Sequence, residues 1–101
     1  KFMAIWSQVA GNELSIKIQG RFDFSSHQQF RESYENLPQP PSKVIIDMEQ
    51  TTYLDSSALG MLLLLRDFSG GDQANISIIN SNEEVKKILS ISNFEQLFDI
   101  Q

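Results

Sequence analysis

The sequence predicts an α/β domain in which helices pack on a mixed β-sheet. In one run, the apolar residues Leu14, Ile16 and Ile18 alternate with polar residues, and this period of two indicates a strand with one buried face. Residues 44–46 form a continuous β-branched run, typical of a central strand covered on both sides. Strand patterns alternate with helical patterns, which favours parallel neighbouring strands joined by right-handed crossovers. The predicted order is β-β-α-β-α-β-α-β.

The chain opens with two strand patterns, residues 2–9 and 13–19, separated by Ala10-Gly11-Asn12. A Gly-Asn step between two such runs favours a tight turn, so the two strands are predicted to form an antiparallel hairpin. This hairpin makes the sheet mixed. Gly20 is predicted to end the second strand.

The first helix is predicted to begin at a serine cap, Ser25 or Ser26, and to run to about Asn36. The prolines of residues 38–41 stop it and form a stiff linker inside one domain. Its inner face is predicted to carry three apolar residues: Phe30, Tyr34 and Leu37.

The second helix is predicted over residues 58–68, which follow a loop at 49–54 and are almost wholly apolar. The length and leucine content of this run favour helix over strand. Residues 69–72, Ser-Gly-Gly-Asp, are predicted to end the helix in a turn.

A strand at residues 75–79 is predicted to lead into a third helix capped by Ser81 or Asn82. Two acidic residues in the first turn of this helix complement the helix dipole. Residues 97–100 are predicted to form a last strand or a short closing segment. The inner stripe of the third helix is predicted to be Val85, Ile88 and Leu89.

Composition narrows the possible functions. A chain of 101 residues fits a single domain over residues 1–101, and a hydrophobic fraction of 41% supports an ordinary core. The net charge of −5 and the lack of any Lys/Arg cluster argue against binding nucleic acid or an anionic membrane surface. With no cysteine and one histidine, neither a disulfide framework nor a metal site is expected, and no cofactor motif is present.

No signal peptide is visible, and the longest apolar run, residues 61–65, is too short to insert into and cross a bilayer. We therefore expect a cytoplasmic protein without direct membrane insertion.

The segment Asp55-Ser56-Ser57 places hydroxyl groups where a loop turns into a helix. The first N–H groups of a helix are unpaired and carry partial positive charge, so a phosphate is stabilised there. A serine at this point can therefore be phosphorylated without disrupting the fold. Simple helix capping explains the same residue types, and the two roles are compatible.

Two short motifs resemble those of the STAS family, and specifically the bacterial anti-sigma factor antagonists, or anti-anti-sigma factors. Asp55-Ser56-Ser57-Ala58-Leu59-Gly60 looks like the family's Asp-Ser-Ser/Thr/Ala-Gly signature. Gly20-Arg21-Phe22-Asp23 resembles its Gly-x-Leu-Asp motif after the second strand. The element order fits the STAS fold over nearly the whole chain. One departure is Ala58, which stands where the family often has glycine.

The resemblance implies a binding module that has no catalytic activity of its own and acts in signal transduction. It implies that Ser57 is phosphorylated by a Bergerat-type kinase, that Ser56 is not the usual acceptor, and that Asp23 and Asp55 lie beside Ser57. The unphosphorylated form would bind the anti-sigma kinase, phosphorylation would release it, and a PP2C-type phosphatase would restore binding.

The surface of the second helix predicts where a partner docks. Ala58, Leu62 and Leu65 share a face that should point into the core. A neighbouring stripe starts at Ser57, and its apolar residues would form a docking patch if they are exposed. The alternative is that these apolar residues are buried against a neighbouring loop. The predicted partner-binding residues are Ala58, Gly60, Met61 and Leu64.

Two other functions remain open. The chain could be a STAS subunit of a transport or other regulatory complex without a phosphorylation switch. Ser57, His27 and Asp23 also supply the residue types of a serine hydrolase, but the sequence has neither a nucleophile elbow nor an oxyanion-hole motif. His27 is therefore expected on the surface of the first helix.

Overall fold

The computed structural model describes residues 5–101, and the predicted start of the first strand at Phe2 lies outside this range. Single turns of 3₁₀ helix at Phe24–Ser26, Gly71–Gln73 and Phe94–Gln96 supplement the regular elements. The strands and α-helices are β1 (Ile5–Ala10), β2 (Glu13–Ile18), β3 (Gly20–Phe22), α1 (His27–Glu32), β4 (Lys43–Asp47), β5 (Thr51–Leu54), α2 (Ser56–Phe68), β6 (Ile76–Ile79), α3 (Glu83–Ile91) and β7 (Asp99–Ile100).

A five-stranded sheet in the order β1-β2-β4-β6-β7 forms the centre of the fold. The β1–β2 hairpin is antiparallel, as predicted, and the other pairs are parallel. The register places Ile16 beside Ile46 and Ile46 beside Ile78, and all three side chains are buried. Such rows of apolar residues form the sheet side of the core.

The prediction that residues 44–46 are covered on both sides was wrong. Val44 and Ile46 are fully buried, but Ile45 points to the other face and lines an open groove of about 710 Å³. The neighbours of Ile45 in the adjacent strands are Ser15 and Ser77. These polar neighbours leave too little apolar surface on this face to bury a second layer of helices.

A second, smaller sheet joins β3 and β5 in parallel. Residues 49–54 were predicted as a loop, and Gly20 as the end of a strand, so both assignments need correction. The Thr51 hydroxyl donates to the Ile18 carbonyl oxygen at 2.8 Å, and the Gly20 N–H donates to the Gln50 carbonyl oxygen at 2.8 Å. These long-range bonds hold together two segments that are too short to show a strand period in the sequence.

The first helix also differs from its prediction. Neither Ser25 nor Ser26 supplies the side-chain cap, because the Asp23 carboxylate accepts the Ser25 N–H at the start of the 3₁₀ turn. The α-helix ends at Glu32, and turns lead on to residue 36. Phe30 and Tyr34 are buried, as predicted.

Asn82 caps α3, one of the two caps predicted for it, by accepting the Val85 N–H at 2.8 Å. Its amide nitrogen also donates to the Thr51 carbonyl oxygen at 3.3 Å. One side chain therefore connects the first turn of α3 to the start of β5.

Candidate functional site

The candidate site lies where β3 and β5 end next to each other. Phe22 and Leu54, the last residues of the two strands, are neighbours in the register and are buried. Because the strands are parallel, Asp23 and Asp55 leave the small sheet at the same edge. The Asp55 N–H donates to the Phe22 carbonyl oxygen at 3.4 Å, which connects the two exits.

Asp55 caps α2 and holds Ser57. Its backbone is extended, and its Oδ1 accepts the Ala58 N–H at 3.0 Å. The same oxygen accepts the Ser57 hydroxyl at 2.7 Å. Ser57 is half-buried at the second residue of the helix, so the structure places it at the helix start, as the sequence predicted. Ser56, the first helical residue, is exposed.

Asp23 repeats this arrangement on the neighbouring strand. Its Oδ1 accepts the Ser25 N–H at 3.0 Å and the Ser25 hydroxyl at 2.6 Å. The Ser26 hydroxyl oxygen accepts the Asp23 N–H at 3.4 Å, which completes a reciprocal cap. Asp23 and Asp55 thus lie at the same edge, each bonded to the serine two residues further on. Of the two acids, Asp55 is the one bonded to Ser57, whereas Asp23 is bonded to Ser25.

Hydrogen bonds lower the pKa of both carboxylates. The Ser57 hydroxyl lowers the pKa of Asp55 below 3.8, and the Ala58 N–H adds to this, although desolvation and the nearby Asp23 charge oppose it. The Ser25 hydroxyl lowers the pKa of Asp23 in the same way, and desolvation opposes it there too. The site carries two negative charges at neutral pH, as ordinary aspartates would, and these bonds extend the charged forms to lower pH.

A cationic side chain lies beside these acids. The Arg21 guanidinium stands 4.5 Å from the centre of the Tyr53 ring, a cation–π contact between paired strands. Its Nε donates to Asp23 Oδ2 at 3.4 Å. Arg21 is exposed and partly offsets the charge of Asp23. Neither Arg21 nor Tyr53 was assigned a role from sequence, because their contact depends on the unpredicted β3–β5 pairing.

The structure divides the four predicted docking residues into two groups. Gly60 is exposed, and Leu64 has 52% of its surface accessible. Met61 is only 4% exposed and Ala58 is fully buried, so assigning these two to a partner surface was wrong. Met61 follows Ala58 by three residues on the helix and joins the same buried face.

Sequence reasoning missed two exposed apolar residues, one on α2 and one in the turn beside it. Leu63 is exposed on α2, as expected when Ala58 and Leu62 point inward, since five consecutive apolar residues cannot all face the core. Phe24 is 72% exposed and lies in the 3₁₀ turn that packs against α2. No periodic pattern marked Phe24, because it follows a capping residue outside the regular helix.

The arrangement does not form a hydrolase triad. The Ser57 hydroxyl donates to Asp55, whereas the His27 ring stacks on Phe24 with centroids 5.8 Å apart. Asp23 is engaged by Ser25 and Arg21. A triad needs the nucleophile bonded to the histidine and the histidine bonded to the acid. Within residues 5–101, no cluster of three or more His, Asp or Glu side chains is arranged to hold a metal ion.

A mixed sheet with helices on one face and a serine held at the end of paired strands defines a small binding module of the STAS class. The chain belongs to this family: the STAS-domain model matches residues 5–101. It is 61% identical over 90 residues to a STAS-domain-containing protein of Pseudomonas aeruginosa (strain UCBPP-PA14), with 89% of each chain covered. No helix in the described range is long and apolar enough to cross a membrane.

Solved structures share this fold at low identity. The anti-sigma factor antagonist SpoIIAA matches in its unphosphorylated form with a TM-score of 0.70 and 16% identity, covering 97% of this chain and 87% of that one. The phosphorylated form of SpoIIAA from Bacillus matches with a TM-score of 0.71 and 16% identity, covering 97% and 91%. A sulfate transporter family protein from Wolinella succinogenes matches with a TM-score of 0.74 and 13% identity, covering 91% and 80%.

Proposed function

We propose that this domain is a phosphorylation-switched binding module of the anti-sigma factor antagonist type. Ser57 is the phosphoacceptor, and a Bergerat-type kinase that also acts as an anti-sigma factor is the partner. A PP2C-type phosphatase resets the switch. The observation that carries the proposal is the position of Ser57 in the first turn of the 13-residue helix α2, where its hydroxyl donates to Asp55 Oδ1 at 2.7 Å.

The hydrogen bond orients the serine for phosphoryl transfer. With its proton directed at Asp55, the Ser57 oxygen presents its lone pairs away from the carboxylate. In the transfer, this oxygen bonds to the γ-phosphorus of ATP held by the kinase, the bond to the ADP oxygen breaks, and the hydroxyl proton passes to a base supplied by the kinase. Because the pKa of Asp55 is lowered, Asp55 is a weak base, and we assign it to positioning the hydroxyl.

Phosphorylation would change the charge of the site sharply. A phosphoserine carries about −1.5 to −2 charges at neutral pH and, when fully ionised, has no proton to donate to Asp55. The two carboxylates together with the phosphate would then bring about −4 charges to one edge of the small sheet. The first N–H groups of α2 stabilise the phosphate, so the helix can persist while the surface presented to a partner changes.

The docking surface that we assign consists of Phe24, Gly60, Leu63 and Leu64. All four are exposed, and they lie on α2 or on the turn that packs against it. Exposed apolar side chains beside a switchable charge suit a reversible interface, because the partner buries them only while the charge is absent. Because the proposed kinase uses ATP, we also propose that the protein acts in the cytoplasm.

Capture of partners from the native cell tests the proposal. Wild type and Ser57→Ala should capture a Bergerat-type kinase, and Ser57→Asp should capture about tenfold less, because a charge then lies in the interface. An aspartate carries less charge than phosphoserine, so phosphorylated wild type should be weaker still. Equal capture by wild type, Ser57→Asp and phosphorylated wild type would contradict an occluding charge.

A second candidate is a STAS subunit of a transport or regulatory complex that uses no phosphorylation switch. The fold similarity to a sulfate transporter family protein favours it. In that case, wild type and Ser57→Asp should capture the same membrane transporter subunits equally, and phosphate should be absent from Ser57 in protein isolated from the native cell.

A further inference from the structure

The two edges of the central sheet are built differently. At one edge, β7 is only two residues long and carries the charged Asp99. The Asp99 carboxylate accepts hydrogen bonds from the Ser77 hydroxyl at 3.3 Å and from the Gln101 amide at 2.8 Å. A short strand and a charged side chain are common protections of a sheet edge against pairing with another chain.

The opposite edge lacks such protection. β1 is six residues long and contains neither a charged residue nor a proline. It pairs with β2 at every position without a bulge, and no other strand in residues 5–101 pairs with its outer side. Its outer backbone groups therefore form a regular row open to pairing. Trp6 and Val9 are 43% and 50% exposed, although both are large apolar residues.

We propose that β1 pairs antiparallel with β1 of a second copy of this chain. The joined sheet would have ten strands, five from each copy. This contact is self-complementary, so a twofold axis perpendicular to the sheet relates the copies and keeps their helices on the same side. The absence of charge on β1 favours self-pairing, because no like charges would face each other between the two β1 strands.

The pleat of the sheet restricts the register. Trp6, Gln8 and Ala10 share the face that carries the open groove, opposite Lys17, Ser15 and Glu13 of β2. Residues that oppose each other across the new pair must lie on the same face. The twofold axis must therefore pass midway between one residue of β1 and the same residue of the second copy, so that this residue faces its own copy.

Charge selects Gln8 as that residue. With the axis at Gln8, Trp6 lies opposite Ala10 of the second copy. The cross-strand row then runs from Lys17 of one copy to Glu13 of the other, so its two ends carry opposite charges. One strand is a small interface compared with the roughly 800 Å² per partner of a stable complex. We therefore expect a weak and reversible dimer, with a dissociation constant below about 1 mM.

Sedimentation equilibrium of the full chain over a range of concentrations tests this pairing. Trp6 is the only tryptophan, so its fluorescence provides a second readout within the proposed interface. Gln8→Lys sets two ammonium groups opposite each other at the axis and should weaken association at least about tenfold. Gln8 is exposed, so the variant should fold, which circular dichroism checks. Gln8→Glu should weaken association similarly.

Ser90→Lys is the matched control, because Ser90 is exposed on α3 and the charge change is the same. Both lysine variants reduce the net charge from −5 to −4 (−5 + 1), so both lessen the general repulsion between copies. Association weakened only at position 8 would therefore support pairing through β1. A chain that stays monomeric up to about 1 mM, a dimer insensitive to the Gln8 variants, or pairing of β1 only with a different protein would overturn the proposal.

Discussion

The segments Asp23-Phe24-Ser25 and Asp55-Ser56-Ser57 are built alike but lead into different structures. Each follows a strand of the small sheet, and in each the serine hydroxyl donates to the aspartate Oδ1, at 2.6 Å and 2.7 Å. Asp23 opens a 3₁₀ turn that continues into the six-residue helix α1, whereas Asp55 opens the 13-residue helix α2. The local hydrogen bonds are thus not what distinguishes Ser57 from Ser25.

The difference lies in what each serine is attached to. Ser25 is exposed on a short turn, whereas Ser57 is half-buried on a helix anchored in the core by Ala58, Leu62 and Leu65. The aligned peptide groups of a long helix give its first turn a partial positive charge, which a 3₁₀ turn followed by a six-residue helix matches less well. Under the proposed function, a supported helix start, rather than an Asp-x-Ser pattern alone, is what makes Ser57 the serine that carries the phosphate.

The largest expected difference between the two serines is in phosphorylation, which can be tested by replacing each serine in turn. With the cognate kinase and ATP, wild type, Ser25→Ala and Ser56→Ala should each gain one phosphate, whereas Ser57→Ala should gain none. Intact-mass measurement and site mapping check this. Full labelling of Ser57→Ala, or loss of labelling in Ser25→Ala with the fold intact, would remove the distinction between the two serines.

Two leucines of α2 can separate the contribution of its buried face to stability from the contribution of its exposed face to partner binding. Leu62 is fully buried, so Leu62→Ala should lower the free energy of unfolding by about 2–5 kcal/mol. Leu64→Ala removes the same atoms from a half-exposed position and should destabilise much less, while weakening kinase binding by about 2 kcal/mol if Leu64 is an anchor. Thermal melts and titration calorimetry separate the effects. Normal kinase binding by folded Leu64→Ala would take Leu64 out of the docking surface.

The two capping residues, Asp55 and Asp23, should contribute differently to the free energy of unfolding. Removing an N-terminal cap typically destabilises by about 0.5–2 kcal/mol. Asp55→Ala should lie toward the upper end of that range, because α2 packs along its whole buried face. Asp23→Ala should lie toward the lower end, because it frees only the short turn before α1. Chemical denaturation of both variants measures the difference, and equal losses would show that helix length is irrelevant here.

The smallest expected effect is on acid titration. Each serine lowers the pKa of its aspartate, so Ser57→Ala should raise the pKa of Asp55 toward 3.8, and Ser25→Ala should do the same for Asp23. A lowered folded-state pKa stabilises the protein above the unfolded value, and this stabilisation disappears as the pH falls through the folded-state pKa. NMR titration of the carboxyl carbons checks both shifts. An unchanged pKa of Asp55 in Ser57→Ala would indicate that another group stabilises its charge.

Local patterns gave much of the fold. The alternation of Leu14, Ile16 and Ile18 located a central strand, and the polar cap at Asn82 located the start of α3. Ser57 was placed correctly because a loop-to-helix transition leaves a local signature. These features depend on neighbours in sequence, which is where propensities and caps act.

Features that depend on distant neighbours were missed. The β3–β5 pairing joins segments about thirty residues apart, and neither Gly20–Phe22 nor Thr51–Leu54 is long enough to show a period. Without that pairing, the contact between Arg21 and Tyr53 could not be foreseen. The burial of Met61 likewise depends on how other elements pack around α2, which helical spacing does not determine.

The two hydrogen bonds of the Asn82 side chain allow opening of the strand next to the site to be measured on a different element. This side chain holds the Val85 amide at one end and the Thr51 carbonyl at the other, and β5 runs from Thr51 directly to Asp55. Loosening of β5 would therefore weaken the protection of the Val85 amide against hydrogen exchange. The hydrogen-exchange rate of the Val85 amide on α3 therefore reports how often β5, the strand preceding Ser57, opens.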